Sequence, residues 1–230
     1  MTIGIIFAMK EEMDSFLTNL EIKKKYKIFE LDLYEVNYFN KKLVLVECGV
    51  GKVNAARTTQ ILIDYIKPNY IFNIGVAGGV DNSLNVLDIV VADNLVQHDF
   101  DITSFNHPKG YIPNVGVNIK SDKYLVDVSN NVSNKLNLNV KIGCIASGDI
   151  FVDNGKMSNK INTKFNALAC EMEGGSVAQV AYLSNTPFLI IRSISDVVGI
   201  NNKLTYEEFL NKSSMIVANY LKEIIKEMDR

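Results

Sequence analysis

The sequence predicts an α/β fold: a three-layer α/β/α sandwich with a mixed central β-sheet. Two observations carry that prediction. Short apolar, β-branched runs alternate along the chain with stretches whose apolar residues recur at three- and four-residue spacing. The 230 residues are 47% hydrophobic and 22% charged, enough for one domain, residues 1–230, with a full core.

The elements follow in order. Residues 2–7 form a short apolar run, read as a buried strand. Residues 10–20 place Met13, Phe16, Leu17 and Leu20 on one helical face. Residues 28–39 alternate up to Asn40-Lys41-Lys42 and pair with the run 43–47 as a hairpin. Gly49-Val50-Gly51 breaks the pattern, and residues 52–66 read as a helix ended by Pro68. Residues 70–74 read as a strand running into the glycine cluster 75–79, and 86–92 as another strand. Residues 97–116, with Pro108, Gly110, Pro113 and Gly116, form the longest loop, and loops of that length usually carry function. Then come a helix (121–136), strands 140–147 and 167–170, a helix (174–183) and an apolar strand (188–194). A long amphipathic helix spans 205–228, with Thr205 as N-cap and Glu208 completing a capping box.

Composition excludes several function classes. The formal charge is −2, which offers no basic footprint for nucleic acid or an anionic membrane. No run reaches about 18 apolar residues, so no membrane span is expected. Cys48, Cys144 and Cys170 are well separated and lie in apolar runs, as reduced buried thiols do, which implies a reducing, cytoplasmic compartment. His98-Asp99-x-Asp101 lacks a second histidine at ligand spacing, so no metal is expected. The fragment Gly49-Val50-Gly51-Lys52 lacks the first glycine of a phosphate-binding loop and has Val53 where Ser or Thr is needed. No G-x-S-x-G elbow occurs. Only Arg57, Arg192 and Arg230 are arginines, few for clamping free phosphate.

In open α/β sheets, sites lie at the carboxyl ends of strands, and several such ends here carry chemistry. Glu11 and Glu12 follow the first strand, where acids either complement a helix dipole or serve a site. The glycines at 49, 51, 75, 78 and 79 either make turns or bring backbone N–H groups close to a ligand. Phe151, beyond Ser147-Gly148-Asp149, is either a core aromatic or a cradle for a flat base. Glu171-Met172-Glu173 sets two carboxylates at a strand end, where unpaired burial is costly. Asp196 stands among aliphatic neighbours, either as a cap or as an acid whose pKa desolvation raises. A carboxyl kept protonated near neutrality is a general acid.

Together these segments resemble the 5′-methylthioadenosine/S-adenosylhomocysteine nucleosidases of the purine nucleoside phosphorylase superfamily. The matching stretches are IGIIFAMKEEM (3–13), CGVGKVNAA (48–56), NIGVAGG (73–79), DIVVAD (88–93), HDFDITSF (98–105), SGDIFVDN (147–154), CEMEG (170–174), RSISDVV (192–198) and LTYEEF (204–209). The resemblance implies a nucleoside phosphorylase-like fold and hydrolysis of the N-glycosidic bond of an adenine nucleoside without a cofactor. It also implies roles. Asp196 matches the acid that protonates adenine N7, and Glu12 the base that activates water. Glu173 matches the carboxylate on the ribose hydroxyls, with Met172 against the sugar. Phe151 matches the aromatic stacked on adenine, and the Val152 backbone reads the adenine edge. Ser195 matches the residue steadying the acid, and Arg192 a charge near the water. Met9, Val76 and Gly78 belong to the same matching segments and are expected at the substrate. The resemblance further implies a homodimer in which Ile102, Phe105 and Pro113 complete the partner's pocket for the 5′-alkylthio group, while Tyr206 lines it from its own subunit. Val76 replaces a frequent Ser and His107 a frequent Tyr, departures that bear on the water contact and on the 5′ group; Gly174 and Tyr206 depart only mildly from the pattern.

Overall fold

The computed structural model describes residues 1–197 and 202–229, with side chains in the last helix from residue 208 onward. The strands are β1 (Thr2–Phe7), β2 (Ile22–Ile28), β3 (Leu31–Tyr38), β4 (Lys41–Glu47), β5 (Tyr70–Gly79), β6 (Ile89–Gln97), β7 (Ile119–Lys120), β8 (Val140–Ser147), β9 (Ala167–Glu171) and β10 (Phe188–Val197). The helices are α1 (Lys10–Leu17), α2 (Lys52–Ile61), α3 (Lys123–Leu136), α4 (Gly155–Phe165), α5 (Gly174–Leu183) and α6 (Asn202–Glu227).

The predicted mixed sheet between helical layers is present. β4, β1, β5 and β10 run parallel, and the β2–β3 hairpin adds antiparallel strands at β4. On the other side the sheet closes on itself. β10 pairs antiparallel with β6, β6 parallel with β8, and β8 parallel with β9. β9 then returns to the end of β5 at Gly78 and Gly79. Five strands thus ring a small barrel, and the sheet loses one free edge.

Alternation along the parallel strands decides which layer each residue meets. Ile3, Ile5 and Phe7 of β1 pack with Met13, Phe16, Leu125, Leu221 and Ile225 from α1, α3 and α6. Ile6 faces the opposite core with Ala55, Ile61, Val177 and Ala181 from α2 and α5. Both faces of these strands are covered, which is why they read as continuous apolar runs.

Several boundaries differ from the sequence expectation. β5 does not stop at residue 74 but continues through the glycines to Gly79, because β9 and β10 pair with them. β6 begins at Ile89 rather than residue 86 and continues to Gln97. β10 runs on to Val197 across a bulge between Ile194 and Asp196. The segment 52–66 splits into α2 and a π-helical turn, Leu62–Ile66. α6 starts at Asn202, so Thr205 lies inside it and is not its N-cap. The hairpin is a three-stranded meander, since IKKKYKI adds β2 as a lysine-rich edge that pattern reading passes over. α4 was not anticipated, although Asn154 caps it by accepting from Met157 N–H at 2.9 Å and Ile161 is buried.

Candidate active site

The carboxyl ends of β1, β4, β5, β8, β9 and β10 converge on one cavity of about 100 Å³. Among the described residues its walls include Met9, Glu12, Val76, Gly78, Phe151, Val152, Met172, Glu173, Ser195 and Asp196. Ten of the fifteen residues singled out from the sequence therefore meet in space, from segments that run from Met9 to Asp196.

Glu12 is 3% exposed and sits in the first turn of α1. Its Oε2 accepts from Ala8 N–H at 3.0 Å and Met9 N–H at 3.1 Å. Its Oε1 crosses to β5 and accepts from Val76 N–H at 3.1 Å. A glycine must stand beside it: a Cβ on Gly75 would lie 2.3 Å from Oε1. Burial pushes the Glu12 carboxyl above its ordinary range, opposed by the Arg192 charge and those three N–H groups. Helix capping and a place in the cavity wall are thus not alternatives at this residue, since one carboxylate has both.

Glu173 is 5% exposed at the start of α5, and its Oε1 accepts from Gly51 N–H at 2.8 Å. Burial first, then the Glu171 charge, pushes its pKa up to about 7, while Arg192 and the Gly51 N–H pull it down. The other acid of that motif has a different job. Glu171 accepts from the backbone N–H groups of Glu173 (3.1 Å) and Gly174 (2.7 Å), from Ser147 Oγ, and from the Arg192 guanidinium.

Arg192 does not line the cavity. It is 1% exposed and donates to Asn73 O and Ile191 O, each at 3.1 Å, to Asn73 Oδ1 and to Glu171. Its charge acts on the site from behind, pairing with Glu171 and lowering the pKa of Glu12 and Glu173. The expectation that Arg192 contacts substrate is replaced by this supporting position.

Asp196 is 2% exposed, and Ser195 Oγ donates to its Oδ1 at 2.8 Å. The β10 bulge places both residues against Ala77 and Gly78 of β5. Bulges next to sites re-aim side chains in this way. Phe151 is half exposed at the cavity mouth beside Ile150, so it is not a core aromatic.

Ile102, Phe105 and Pro113 do not reach the cavity of their own chain, and Phe105 is 76% exposed on the long loop. The Tyr206 side chain lies outside the described residues. Sequence reading missed Ala8, Val50, Ala77, Ile150 and Cys170 as lining residues. It also missed a polar circuit behind the rim, in which Lys52 Nζ lies 2.7 Å from Asp99 Oδ1. The lysine and the acidic HDFD stretch were each visible, but as a failed phosphate loop and a failed metal site, and only the fold brings them together.

A model of the phosphorylase superfamily matches residues 2–226. The 5′-methylthioadenosine/S-adenosylhomocysteine nucleosidase of Bacillus licheniformis is 36% identical over 231 aligned positions, covering all of both chains. The chain belongs to this nucleosidase family. It is an enzyme, as the family's members are. A Streptococcus pyogenes S-adenosylhomocysteine nucleosidase, solved with 5-methylthiotubericidin, superposes with a TM-score of 0.96 at 34% identity, covering 100% of this chain and 98% of that one. A futalosine hydrolase of Helicobacter pylori superposes with a TM-score of 0.95 at 33% identity, covering 99% and 98%. No helix among the described residues is long and apolar enough to cross a membrane.

Proposed function

We propose that this enzyme hydrolyses the N-glycosidic bond of 5′-methylthioadenosine and S-adenosylhomocysteine, with Asp196 as general acid, Glu12 as general base and Glu173 on the ribose hydroxyls. The convergence of three buried carboxylates on one cavity flanked by a half-exposed aromatic carries this reading. Phe151 stacks on adenine and the Val152 backbone meets its edge. Asp196, oriented by Ser195, passes its proton to N7. The C–N bond then breaks with its electron pair leaving on adenine, and the ribose gains oxocarbenium character. Glu173 and Glu12 stabilise that positive charge. Water adds from the opposite face and gives its proton to Glu12, whose raised pKa makes it the stronger base. The same site accommodates 5′-deoxyadenosine, which differs only at the 5′ position.

Phosphorolysis fits less well. A phosphate dianion at the water position would face Glu12, and Arg192, the one arginine near it among the described residues, is committed to Asn73, Ile191 and Glu171. A second copy of the chain completes the 5′ pocket, with Ile102, Phe105 and Pro113 supplied by the partner's long loop; the exposure of Phe105 supports this. The resulting homodimer acts in the cytoplasm on the nucleoside products of other reactions, feeding methionine salvage and nucleoside catabolism. The test is adenine release in phosphate-free buffer from methylthioadenosine, S-adenosylhomocysteine, 5′-deoxyadenosine and aminodeoxyfutalosine. Release that depends on added phosphate would replace hydrolysis with phosphorolysis.

A further inference from the structure

Three chain segments meet behind the cavity rim, and Lys52 ties them together. Its backbone N–H donates to Asp149 Oδ1 at 2.8 Å. Its Nζ lies 2.7 Å from Asp99 Oδ1 and 3.2 Å from Gln97 Oε1. The circuit closes where Asp149 N–H donates to Asp99 Oδ2 at 2.9 Å. The ammonium and the Asp99 carboxylate are enclosed, their side chains 18% and 17% exposed. Two glycines permit the approach. A Cβ on Gly51 would stand 3.2 Å from Asp149 Oδ1, and one on Gly148 would stand 2.4 Å from His98 Nε2.

None of Lys52, Gln97, Asp99 or Asp149 lines the cavity, yet their chain neighbours do. Gly51, just before Lys52, donates to Glu173. Ile150, Phe151 and Val152 directly follow Asp149. An enclosed ion pair adds little net stability, because desolvation offsets the attraction. What it supplies here is fixed geometry between two halves of the site. We propose that Lys52 is a positioning residue that locks the Glu173 carboxylate and the base-binding segment 150–152 into one rigid unit, acting through Gly51, Asp149 and Asp99.

The inference rests on the roles given above to Glu173 and Phe151. Burial alone would raise the Asp99 carboxyl, but hydrogen bonds from Lys52 and from Asp149 N–H, with the lysine's charge, hold it below its ordinary value. Without the ammonium, the Asp99 carboxylate loses its ion-pair partner and Gln97 Oε1 its donor. The segments then part, and the Gly51 N–H leaves Glu173. An ionised Glu173 without that donor binds a proton more readily, so the acid limb of kcat/KM moves to higher pH.

The experiment compares the wild type with Lys52→Ala across pH, with and without propylammonium, the fragment that the substitution removes. The expected result is a loss in kcat/KM of about 10- to 100-fold, an acid limb displaced upward, and recovery of both on adding propylammonium. A variant with wild-type kcat/KM and limb overturns the proposal. So does a loss that is uniform across pH and indifferent to the amine, which is the mark of general loosening. Should Lys52→Ala not fold, Asp99→Asn carries the same test, with the same upward displacement expected and an unmoved limb overturning it. A wild type that releases no adenine would instead refute the functional reading, so the two failures are distinct.

Discussion

A single methyl group added at Gly75 would act on Glu12 without altering any acid. Gly75 lies within β5, opposite Arg192 in the ladder, in a conformation open to alanine, so the backbone tolerates the change. The new Cβ would stand 2.3 Å from Glu12 Oε1, 2.9 Å from Cδ and 3.2 Å from Oε2. Ordinary contact begins at 3.4 Å, so Oε1 must retreat by about 1 Å, a displacement that can cost about 100-fold in rate when it misplaces a reacting group. The retreat also takes Oε1 off the Val76 N–H, now at 3.1 Å. Losing a hydrogen bond to a charged group costs about 1.5–3 kcal/mol, which urea unfolding would register. With Glu12 acting on water, as proposed, the loss should fall on kcat with KM nearly unchanged. Adenine release by Gly75→Ala in phosphate-free buffer is the assay. A variant that keeps kcat within twofold of wild type would refute the assignment of Glu12 as base.

Three further outcomes follow from the same geometry. Asp196→Asn cannot protonate N7 and should lose about 100- to 10,000-fold in kcat while still binding an adenine nucleoside in calorimetry; near-full turnover would remove the acid from the mechanism. Arg192→Met leaves Glu171 buried without its counter-ion and should cost about 3–5 kcal/mol of stability, read as a lowered urea midpoint; an unchanged midpoint would show the ion pair to be unimportant. Glu173 has a folded pKa of about 7 against 4.5 for the free side chain, so the folded state binds that proton more tightly than the unfolded chain. The stability this lends is fully present below pH 4.5 and is lost as pH rises through 7. Glu173→Gln should therefore be the more stable protein at pH 8, by up to about 3 kcal/mol, with little difference at pH 4; equal stability at pH 8 would contradict it.

Much of this was legible in the chain because burial writes itself into composition. The strands covered on both faces, β1, β5 and β10, stand out as apolar runs, and the acids that interrupt or follow them are conspicuous for that reason. What stayed illegible was anything set by pairing across the fold. The glycines at 75–79 read as a loop because nothing local shows that β9 and β10 will pair with them. β2 is a strand by virtue of its partner β3, not of its own lysine-rich pattern. Glu171 and Glu173 are two residues apart and look equivalent, and both line the cavity, yet only Glu171 is tied to Arg192 from β10. Nothing local to the motif shows that Arg192 packs behind Glu171 and does not line the cavity.

The distribution of donors explains how so many carboxylates share one cavity. Glu12, Glu171, Glu173 and Asp196 are all buried, with one arginine among them. Most of the compensation comes from backbone N–H groups at strand and helix ends: Ala8, Met9 and Val76 toward Glu12, Gly51 toward Glu173, and the amides of Glu173 and Gly174 toward Glu171. Those amides are rigid dipoles, not mobile cations, so they hold the acids in place without neutralising them. Such a cavity suits the proposed reaction, in which the ribose becomes positive as its bond breaks. A guanidinium turned into the same space would cancel that field, and packing Arg192 behind Glu171 instead preserves it.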